Sequence, residues 1–432
     1  MVKQEVRKFL ESRELNADRI DLDREVDKFI ANMLSGLAEE QPAMNMIPTY
    51  IQVGRRIPVN EPVIVMDAGG TNFRVATLTF GEDYSVQIED FRRSEMPGTS
   101  GPVTRDEFFD HLVEVMRPLL PKSRHIGFCF SYAAKITPER DGQVLNFSKE
   151  VELPEVVGQL LGVNIRAALD RAGLSSDVEI TVLNDTVAAL LGGMSQTQGR
   201  DFSSYIGFIL GTGTNTAYTE RIAAIGKLGR PDDGGRMIIN MESGTYPDIQ
   251  LSIVDEAIDQ TTQNPGSYRF EKVISGRYQG MQLWHTLQHA VADGLFSPAF
   301  AMGFEFTKEF DSYELDQFLF RPRGDNRLAR LCDSDTDRLK LFWILDNLFE
   351  RAARLATINL AGVMKHMGEG TNPVYPVGIS AEGTTFYKAK LLKPKIDHLM
   401  VDYVNGQLGL YHEFIRAENS NLIGAAIAAL TN

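Results

Sequence analysis

A carboxylate, Asp185, stands where the sequence passes from a strand pattern into a helix pattern. Residues 179–182 read EITV, which favours a strand, and the run DTVAALL from residue 185 favours a helix. In a phosphoryl transfer, one carboxylate can accept the proton of the acceptor hydroxyl. We expect Asp185 to be anionic, because the dipole at a helix N-terminus favours negative charge. The same position suits an N-cap that stabilises the helix by about 1 kcal/mol, so the local sequence leaves both interpretations open.

Two glycine-rich turns could bind phosphate groups. In MDAGGTNFRV a strand reaches Asp67, breaks at Gly69 and Gly70, and resumes over residues 73–80. In ILGTGTNTAY a second pair of strands flanks residues 211–215. Glycine lets consecutive backbone amides approach a phosphate closely, so two such turns on two sheets could hold a triphosphate from both sides. Two ordinary tight hairpins are the alternative.

Polar side chains that could bind sugar hydroxyls occur at the ends of three other predicted elements. The strings are NFSK at residues 146–149, INMESG at residues 239–244 and FEK at residues 270–272. Each string alone is more often a solvated surface. Together they are typical of a binding cleft assembled from loops.

Few residues suit a protein-bound metal ion. Asp67, at the end of its strand, suits a water-mediated contact with Mg²⁺ carried by a nucleotide, because Mg²⁺ keeps its waters and uses few carboxylates. His285 and His289 share a helix face, but the string lacks the HExxH glutamate and a third ligand. Cys129 and Cys332 lie far apart and form no CxxC pair, so neither a disulfide framework nor a cysteine zinc site is expected.

The composition excludes several classes of protein. With 43% hydrophobic and 24% charged residues in a chain of 432, we expect a globular protein of two or three domains. The net charge of −14 opposes nonspecific binding to nucleic acid or anionic lipid. The sequence contains neither a long uncharged apolar run nor a secretory signal pattern, so a cytoplasmic protein is expected.

Strand and helix patterns alternate along most of the chain. Helices are predicted over residues 105–120 and 153–173, and strands over residues 124–133 and 179–185. Residues 45–62 are predicted to be a turn-rich connection. Alternation of this kind, with a repeated glycine hairpin, indicates an α/β sheet present in two lobes.

Together these strings resemble the eukaryotic-type hexokinase family of hexokinases and glucokinases. The resemblance runs from MIPTYI at residues 46–51 to GAAIAAL at residues 424–430. It implies that Asp185 is the catalytic aspartate and that Lys149 steadies charge on the transferred group. It places at the sugar Ser131, Ser148, Lys149, Asn184, Asp185, Asn215, Glu242 and Glu271. It places at the nucleotide Asp67, Gly69, Gly70, Thr71, Asn72, Arg74, Gly211, Thr212, Gly213, Thr214, Gly383 and Thr384.

The sequence departs from the family pattern near the sugar and the adenosine. The family string Ser-Phe-Pro is here Ser131-Tyr132-Ala133, which loses a proline that would stiffen the loop. Ser243 stands in place of Trp, and Ser148 in place of Thr. The stretch SAEGTTFYK has one residue more than the usual turn containing DGS. The phosphate-binding strings keep the family pattern.

The resemblance implies a two-lobed α/β fold of the actin-like ATPase, ribonuclease H-like type, with a cleft between the lobes. We expect residues 1–60 to form helices on the large lobe. Residues 61–183 should form the small lobe and residues 184–417 the large lobe. Residues 418–432 should form a helix that returns to the small lobe.

The implied function is transfer of the γ-phosphate of MgATP to the 6-hydroxyl of a hexose such as glucose, mannose or fructose. One alternative is a kinase that prefers an amino- or N-acetyl-hexosamine. Another is a sugar-binding regulator of the same fold without turnover, which the presence of Asp185 and Lys149 disfavours. The expected partners are a hexose and ATP with Mg²⁺, with no nucleic acid and no membrane; the oligomeric state stays open.

Overall fold

A computed structural model describes residues 1–39, 42–70, 72–147, 151–197, 199–229 and 234–432. Three of the predicted site residues, Thr71, Ser148 and Lys149, lie outside these ranges. Within them, no helix is both long and apolar enough to cross a membrane.

Thirteen strands within the described ranges form two large sheets and one small sheet. The strands are β1 Ile47–Gln52, β2 Val63–Gly69, β3 Asn72–Phe80, β4 Val86–Glu95, β5 His125–Phe130, β6 Ala134–Ile136, β7 Gly142–Val144, β8 Glu179–Leu183, β9 Ser204–Leu210, β10 Thr214–Arg221, β11 Arg236–Asn240, β12 Val377–Glu382 and β13 His412–Ile415. The five-stranded sheet has the order β4-β3-β2-β5-β8, and the six-stranded sheet has the order β1-β11-β10-β9-β12-β13. β6 pairs only with β7.

The two large sheets repeat one arrangement. In the first, β2, β3 and β4 form an antiparallel meander, and β5 and β8 extend the sheet in parallel with β2. In the second, β9, β10 and β11 form the meander, and β12 and β13 are the parallel strands. β1 adds an antiparallel edge strand to the second sheet. Each glycine turn joins the first two strands of its meander, as the repeated hairpin in the sequence predicts.

The α-helices of the described residues are α1 Val2–Ser12, α2 Leu22–Ala38, α3 Arg105–Met116, α4 Leu161–Arg171, α5 Asp185–Gln196, α6 Ile253–Thr261, α7 Arg269–Ile274, α8 Gly276–Ala292, α9 Pro298–Phe304, α10 Ser312–Phe320, α11 Arg327–Leu331, α12 Asp335–Met367, α13 Thr384–Lys388, α14 Leu392–Leu399 and α15 Ser420–Thr431. α14 continues into a π-helical turn, Met400–Asn405. α1 and α2 pack on the long α12. α15 packs on α5 and on the five-stranded sheet.

Two predicted elements differ from the structure, and one strand was not predicted. The turn-rich connection contains β1, which a register shift between Pro48 and Gln52 and a positive φ at Tyr50 make irregular. The strand β4 is missed because its outward side chains are mostly charged and exposed. The helix predicted from residue 153 begins only at Leu161, because Gly158, with φ of +83°, interrupts it.

α5 and α15 cross closely between the two large sheets, because small residues face each other at the crossing. A side chain added at Gly424 would place its Cβ 2.1 Å from the carbonyl oxygen of Ala188. One added at Gly192 would lie 2.7 Å from the Cα of Ser420. Since α5 begins with Asp185, this packing fixes the position of the carboxylate relative to both sheets.

We predict that Gly424→Ala lowers the free energy of unfolding by about 1–3 kcal/mol, the usual cost of overpacking a core. A matched control is Gly303→Ala in α9, where the added Cβ would meet the end of the Leu331 side chain at 3.3 Å. That variant should be unchanged or more stable by up to about 1 kcal/mol, since alanine favours a helix. Urea denaturation measures the free energy of unfolding of both variants. If Gly424→Ala were as stable as Gly303→Ala, the close crossing of α5 and α15 would be contradicted.

Candidate functional site

Asp185 is the first residue of α5, and only Asn184 separates it from the end of β8 at Leu183. The N-cap of the helix is Asn184, whose side-chain oxygen accepts a hydrogen bond from the Thr186 amide at 2.9 Å. Because Asn184 fills the cap position, the Asp185 side chain is left to line a cavity between the two sheets. The interpretation of Asp185 as an N-cap is therefore wrong.

Burial raises the pKa of Asp185 to about 7, and the like charges of Asp67 and Glu242 add to that rise. Hydrogen bonds from the Thr186 amide and the Ser131 side chain act in the opposite direction. The expectation of a fully anionic Asp185 is thus wrong near neutral pH, because desolvation and like-charge repulsion outweigh the helix dipole. The group is instead a carboxyl that exchanges its proton near neutrality.

A network of carboxamides holds the acid Glu242 beside Asp185. The side-chain nitrogen of Asn215 lies 2.7 Å from the Asn240 side-chain oxygen and 3.3 Å from that of Asn184. Asn240 in turn donates to Glu242 at 2.8 Å. Glu242 has a left-handed backbone with φ of 53°, which is strained for a residue other than glycine. Such strain is concentrated at functional sites, and here it aims a buried carboxylate into the cavity.

The second glycine turn contacts another buried acid. The Thr214 amide donates a hydrogen bond to Glu271 at 3.1 Å. A Cβ added at Gly213 would come within 2.6 Å of the same carboxylate oxygen, so a larger residue there would displace the Glu271 carboxylate. Burial raises the pKa of Glu271 to about 7, and the amide hydrogen bond opposes that rise. The second glycine turn and the Glu271 carboxylate therefore hold each other in place.

The first glycine turn lies across the cavity from the second. Gly69 packs against Ser131, whose side-chain oxygen would lie 2.9 Å from an added Cβ, and Gly70 has φ of +59°. Arg74 donates to Asp67 at 3.1 Å. Burial nevertheless raises the pKa of Asp67, and the charge of Arg74 offsets this only in part. Asn72 accepts a hydrogen bond from Arg93 at 2.8 Å.

Gly383 packs against the second turn. It has φ of +114°, and a Cβ there would lie 2.2 Å from the Leu210 carbonyl oxygen. Thr384 begins α13, and the next residue, Thr385, donates to the Gly211 carbonyl at 2.9 Å. The region predicted to contact the nucleotide thus adjoins the second turn, although SAEGTTFYK carries an extra residue.

These residues surround a cavity of about 490 Å³. The predicted site residues in its lining are Gly70, Ser131, Asn184, Asp185, Thr212, Gly213, Thr214, Asn215, Glu242 and Glu271. The predicted residues that adjoin these but are not in the lining are Asp67, Gly69, Asn72, Arg74, Gly211, Gly383 and Thr384. Among the described residues, no group of three or more histidine, cysteine or acidic side chains could hold a metal ion.

Two family models described as hexokinase match the chain, one over residues 205–431 and the other over residues 5–195. The first alone covers more than half of the chain. The chain belongs to the hexokinase family. Membership makes it an ATP-dependent phosphotransferase that phosphorylates hexoses.

Known hexokinases resemble the chain over nearly its whole length. Hexokinase-1 of Nicotiana tabacum is 28% identical, and the match covers 94% of this chain and 86% of the relative. Hexokinase-3 of Homo sapiens is 29% identical over 91% of this chain and 44% of its own length. The solved structure of a Schistosoma mansoni hexokinase complexed with glucose has a TM-score of 0.73 at 21% identity and covers 99% of both chains. That likeness shows the two-lobed actin-like ATPase fold.

Tyr268 and Arg277 line the cavity of this hexokinase, and neither is among the predicted site residues. Asn240 belongs to the predicted string INMESG, and it is buried beside Asn215 and Glu242 without being in the lining. Tyr268 lines the cavity with a left-handed backbone, φ of 54°, near both glutamates. Lys272, from the predicted string FEK, and Arg277 also line it. No local pattern marks Tyr268 or Arg277, because only the tertiary fold brings α7 and α8 to the cavity.

Separate substitutions can distinguish the cap from the cavity carboxylate. We predict that Asn184→Ala lowers the free energy of unfolding by about 1 kcal/mol through loss of the cap. Asp185→Asn keeps the cap, and its stability relative to the parent protein should rise with pH. The folded parent retains the Asp185 proton up to about pH 7, while the unfolded chain releases it near 3.8, so the parent loses stability over this interval.

Urea denaturation at about pH 5 and about pH 8 measures both effects. If Asp185→Asn instead costs the same cap energy at both pH values, Asp185 is a structural residue of α5 after all.

Proposed function

We propose that the cavity of this hexokinase binds a hexose and directs its 6-hydroxyl, beside Asp185, at the γ-phosphate of MgATP. The observation that carries the proposal is the place of Asp185 in a cavity bordered by both glycine turns. One carboxylate near neutral pKa, two amide-rich turns and a polar wall are the parts that an in-line phosphoryl transfer requires.

The wall of carboxamides and glutamates suits a sugar ring. Asn184, Asn215, Glu242 and Glu271 offer donors and acceptors within one cavity, and neighbouring hydroxyls of a hexose can both donate and accept. Hydrogen bonds already fix Asn215 and Glu242 before a sugar binds. Little side-chain entropy is then lost on binding. Ser131 completes the wall from the first sheet, and the resemblance adds Ser148 and Lys149.

Asp185 would accept the proton of the 6-hydroxyl as the oxygen bonds to phosphorus. A carboxyl group with pKa of about 7 is a stronger base than an ordinary aspartate, so it is better matched to this task near neutral pH. The N-terminus of α5 and the Ser131 side chain stabilise the deprotonated carboxylate of Asp185, which is the form that accepts the hydroxyl proton. Asp185 thus acts as the general base.

The two glycine turns would hold the triphosphate. The buried Oδ1 of Asp67 has no hydrogen bond of good geometry among the described residues. Burial raises the pKa of Asp67, and the nearby side chains of Arg74, Cys129 and Asn421 offset that rise only in part. A hydrated Mg²⁺ on the nucleotide fits this oxygen, because it would satisfy the acceptor and offset the buried charge. Bound Mg²⁺ would neutralise charge on the phosphates, while Asp67 orients its water shell.

The direct test is formation of hexose 6-phosphate from MgATP with glucose, mannose, fructose, glucosamine and N-acetylglucosamine. We expect turnover with at least one neutral hexose and a fall in kcat of about 10²–10⁴-fold for Asp185→Asn, the usual contribution of a general base. Asp106→Asn is a matched control, because Asp106 is a half-exposed acid in the first turn of α3. It should keep kcat within about twofold.

Sugar binding measured by calorimetry without any sugar phosphate product would instead identify a sugar-binding regulator. Turnover confined to the amino sugars would identify a hexosamine kinase.

The pH dependence of kcat/KM should show an acid limb near pH 7. This limb reports ionisation of the free enzyme, and activity falls below it because Asp185 gains a proton and can no longer act as base. Burial also raises the pKa of Glu382 to about 7. Glu382→Gln therefore serves as a control, and its pH profile of kcat/KM should retain the acid limb near pH 7. A limb below about pH 5, or one that disappears in Glu382→Gln, would contradict the assignment to Asp185.

A further inference from the structure

Tyr132 links the hexose cavity to the first glycine turn. Its hydroxyl donates a hydrogen bond to the carbonyl oxygen of Gly70 at 2.6 Å. The ring is only 6% exposed and packs on Phe130 and Phe147, with ring centroids 5.2 Å and 5.0 Å away. A ring held in this way presents its hydroxyl in one place, so the hydrogen bond fixes the turn at a defined point.

The residue before Tyr132 faces the reacting centre. Ser131 donates through its amide to the Ala68 carbonyl at 3.0 Å, and its side chain lies close enough to Asp185 to lower the pKa of that carboxyl. Two consecutive residues therefore hold the hairpin on both sides of Gly69, and both also line the sugar cavity. A shift of residues 131–132 on sugar binding would be passed to the turn through these bonds.

We propose that Tyr132 is a positioning residue that couples occupation of the hexose cavity to the phosphate-binding conformation of the first glycine turn. The inference rests on the proposed function, since it takes the cavity as the hexose site and the turn as a phosphate site. Gly70 lies in a left-handed conformation at the exposed tip of the hairpin. The Tyr132 hydroxyl donates the side-chain hydrogen bond that this carbonyl accepts within the described residues.

The Tyr132 hydroxyl restrains a loop whose next residue, Ala133, adds no conformational restraint of its own. Ala133 follows Tyr132 where the family string has proline, and no ring restrains its backbone. The Ala133 carbonyl accepts from the Leu145 amide at 2.8 Å, and within the described ranges its own N–H has no hydrogen-bond acceptor. A proline at residue 133 would therefore keep the existing bond and lose none.

The test uses Tyr132→Phe in the full chain, which keeps the packed ring and removes the hydroxyl. Calorimetry measures the dissociation constant of a non-hydrolysable ATP analogue with Mg²⁺, with and without a saturating hexose, taken as the best substrate of the panel. In the parent, sugar should tighten analogue binding. In Tyr132→Phe that enhancement should fall about three- to tenfold, the size of one neutral hydrogen bond.

Two further variants separate positioning from folding. Tyr403→Phe removes a buried hydroxyl that donates to Asp23 at 2.7 Å, outside the cavity lining, and it should leave the coupling unchanged. Ala133→Pro in the Tyr132→Phe background should restore part of the coupling by stiffening the loop.

An unchanged enhancement in folded Tyr132→Phe, or a parent without any enhancement, would overturn the inference. Failure of the parent to phosphorylate any hexose would overturn the proposed function instead.

Discussion

The burial of several carboxylates around one cleft is the constraint on which the site depends. Asp67, Asp185, Glu242 and Glu271 all lie there, and the pKa of each is raised, in every case mainly by burial. Leaving acids in a desolvated cleft costs free energy unless hydrogen bonds compensate. The protein supplies backbone amides to Asp185 and Glu271 and a carboxamide to Glu242. In the proposed function, a ligand rich in hydroxyl donors would satisfy the remaining oxygens of the two glutamates and Asp185, and the cost of burying these acids would favour a polyol over other ligands.

The duplicated architecture places these acids. Each sheet contributes a meander whose first turn carries glycines, and α5 enters between the sheets with Asp185 at its N-terminus. The position of α5 is fixed by small residues, since Gly207 packs against the Thr186 carbonyl and Gly424 against that of Ala188. Larger side chains at these glycines would push the helix away from both sheets. The fold thus sets the distance between the carboxyl and the two turns through backbone contacts.

Much of this arrangement could be predicted from the sequence, because glycine turns and alternating strands leave local signals. The two hairpins and the strand-to-helix junction at Asp185 are of this kind. The protonation of Asp185 was predicted wrongly, since Asp67 and Glu242 lie far from it in sequence and only folding brings their charges close. Tyr268 was missed for the same reason. Ser148 and Lys149 lie outside the described residues, and their roles stay predictions from resemblance.

Because the net charge is −14 and the cleft is acidic, only groups in direct contact with a bound anion can offset the repulsion. A nucleotide triphosphate approaching this surface meets repulsion, which the glycine turns can offset only if their amides converge on the phosphates. Convergent amides need a fixed backbone, yet a glycine tip such as Gly70 is the most flexible backbone available. An anchor from a rigid aromatic side chain, as Tyr132 provides, reconciles these two requirements. The turn keeps glycine for close approach, and the hydrogen bond supplies the order that glycine lacks.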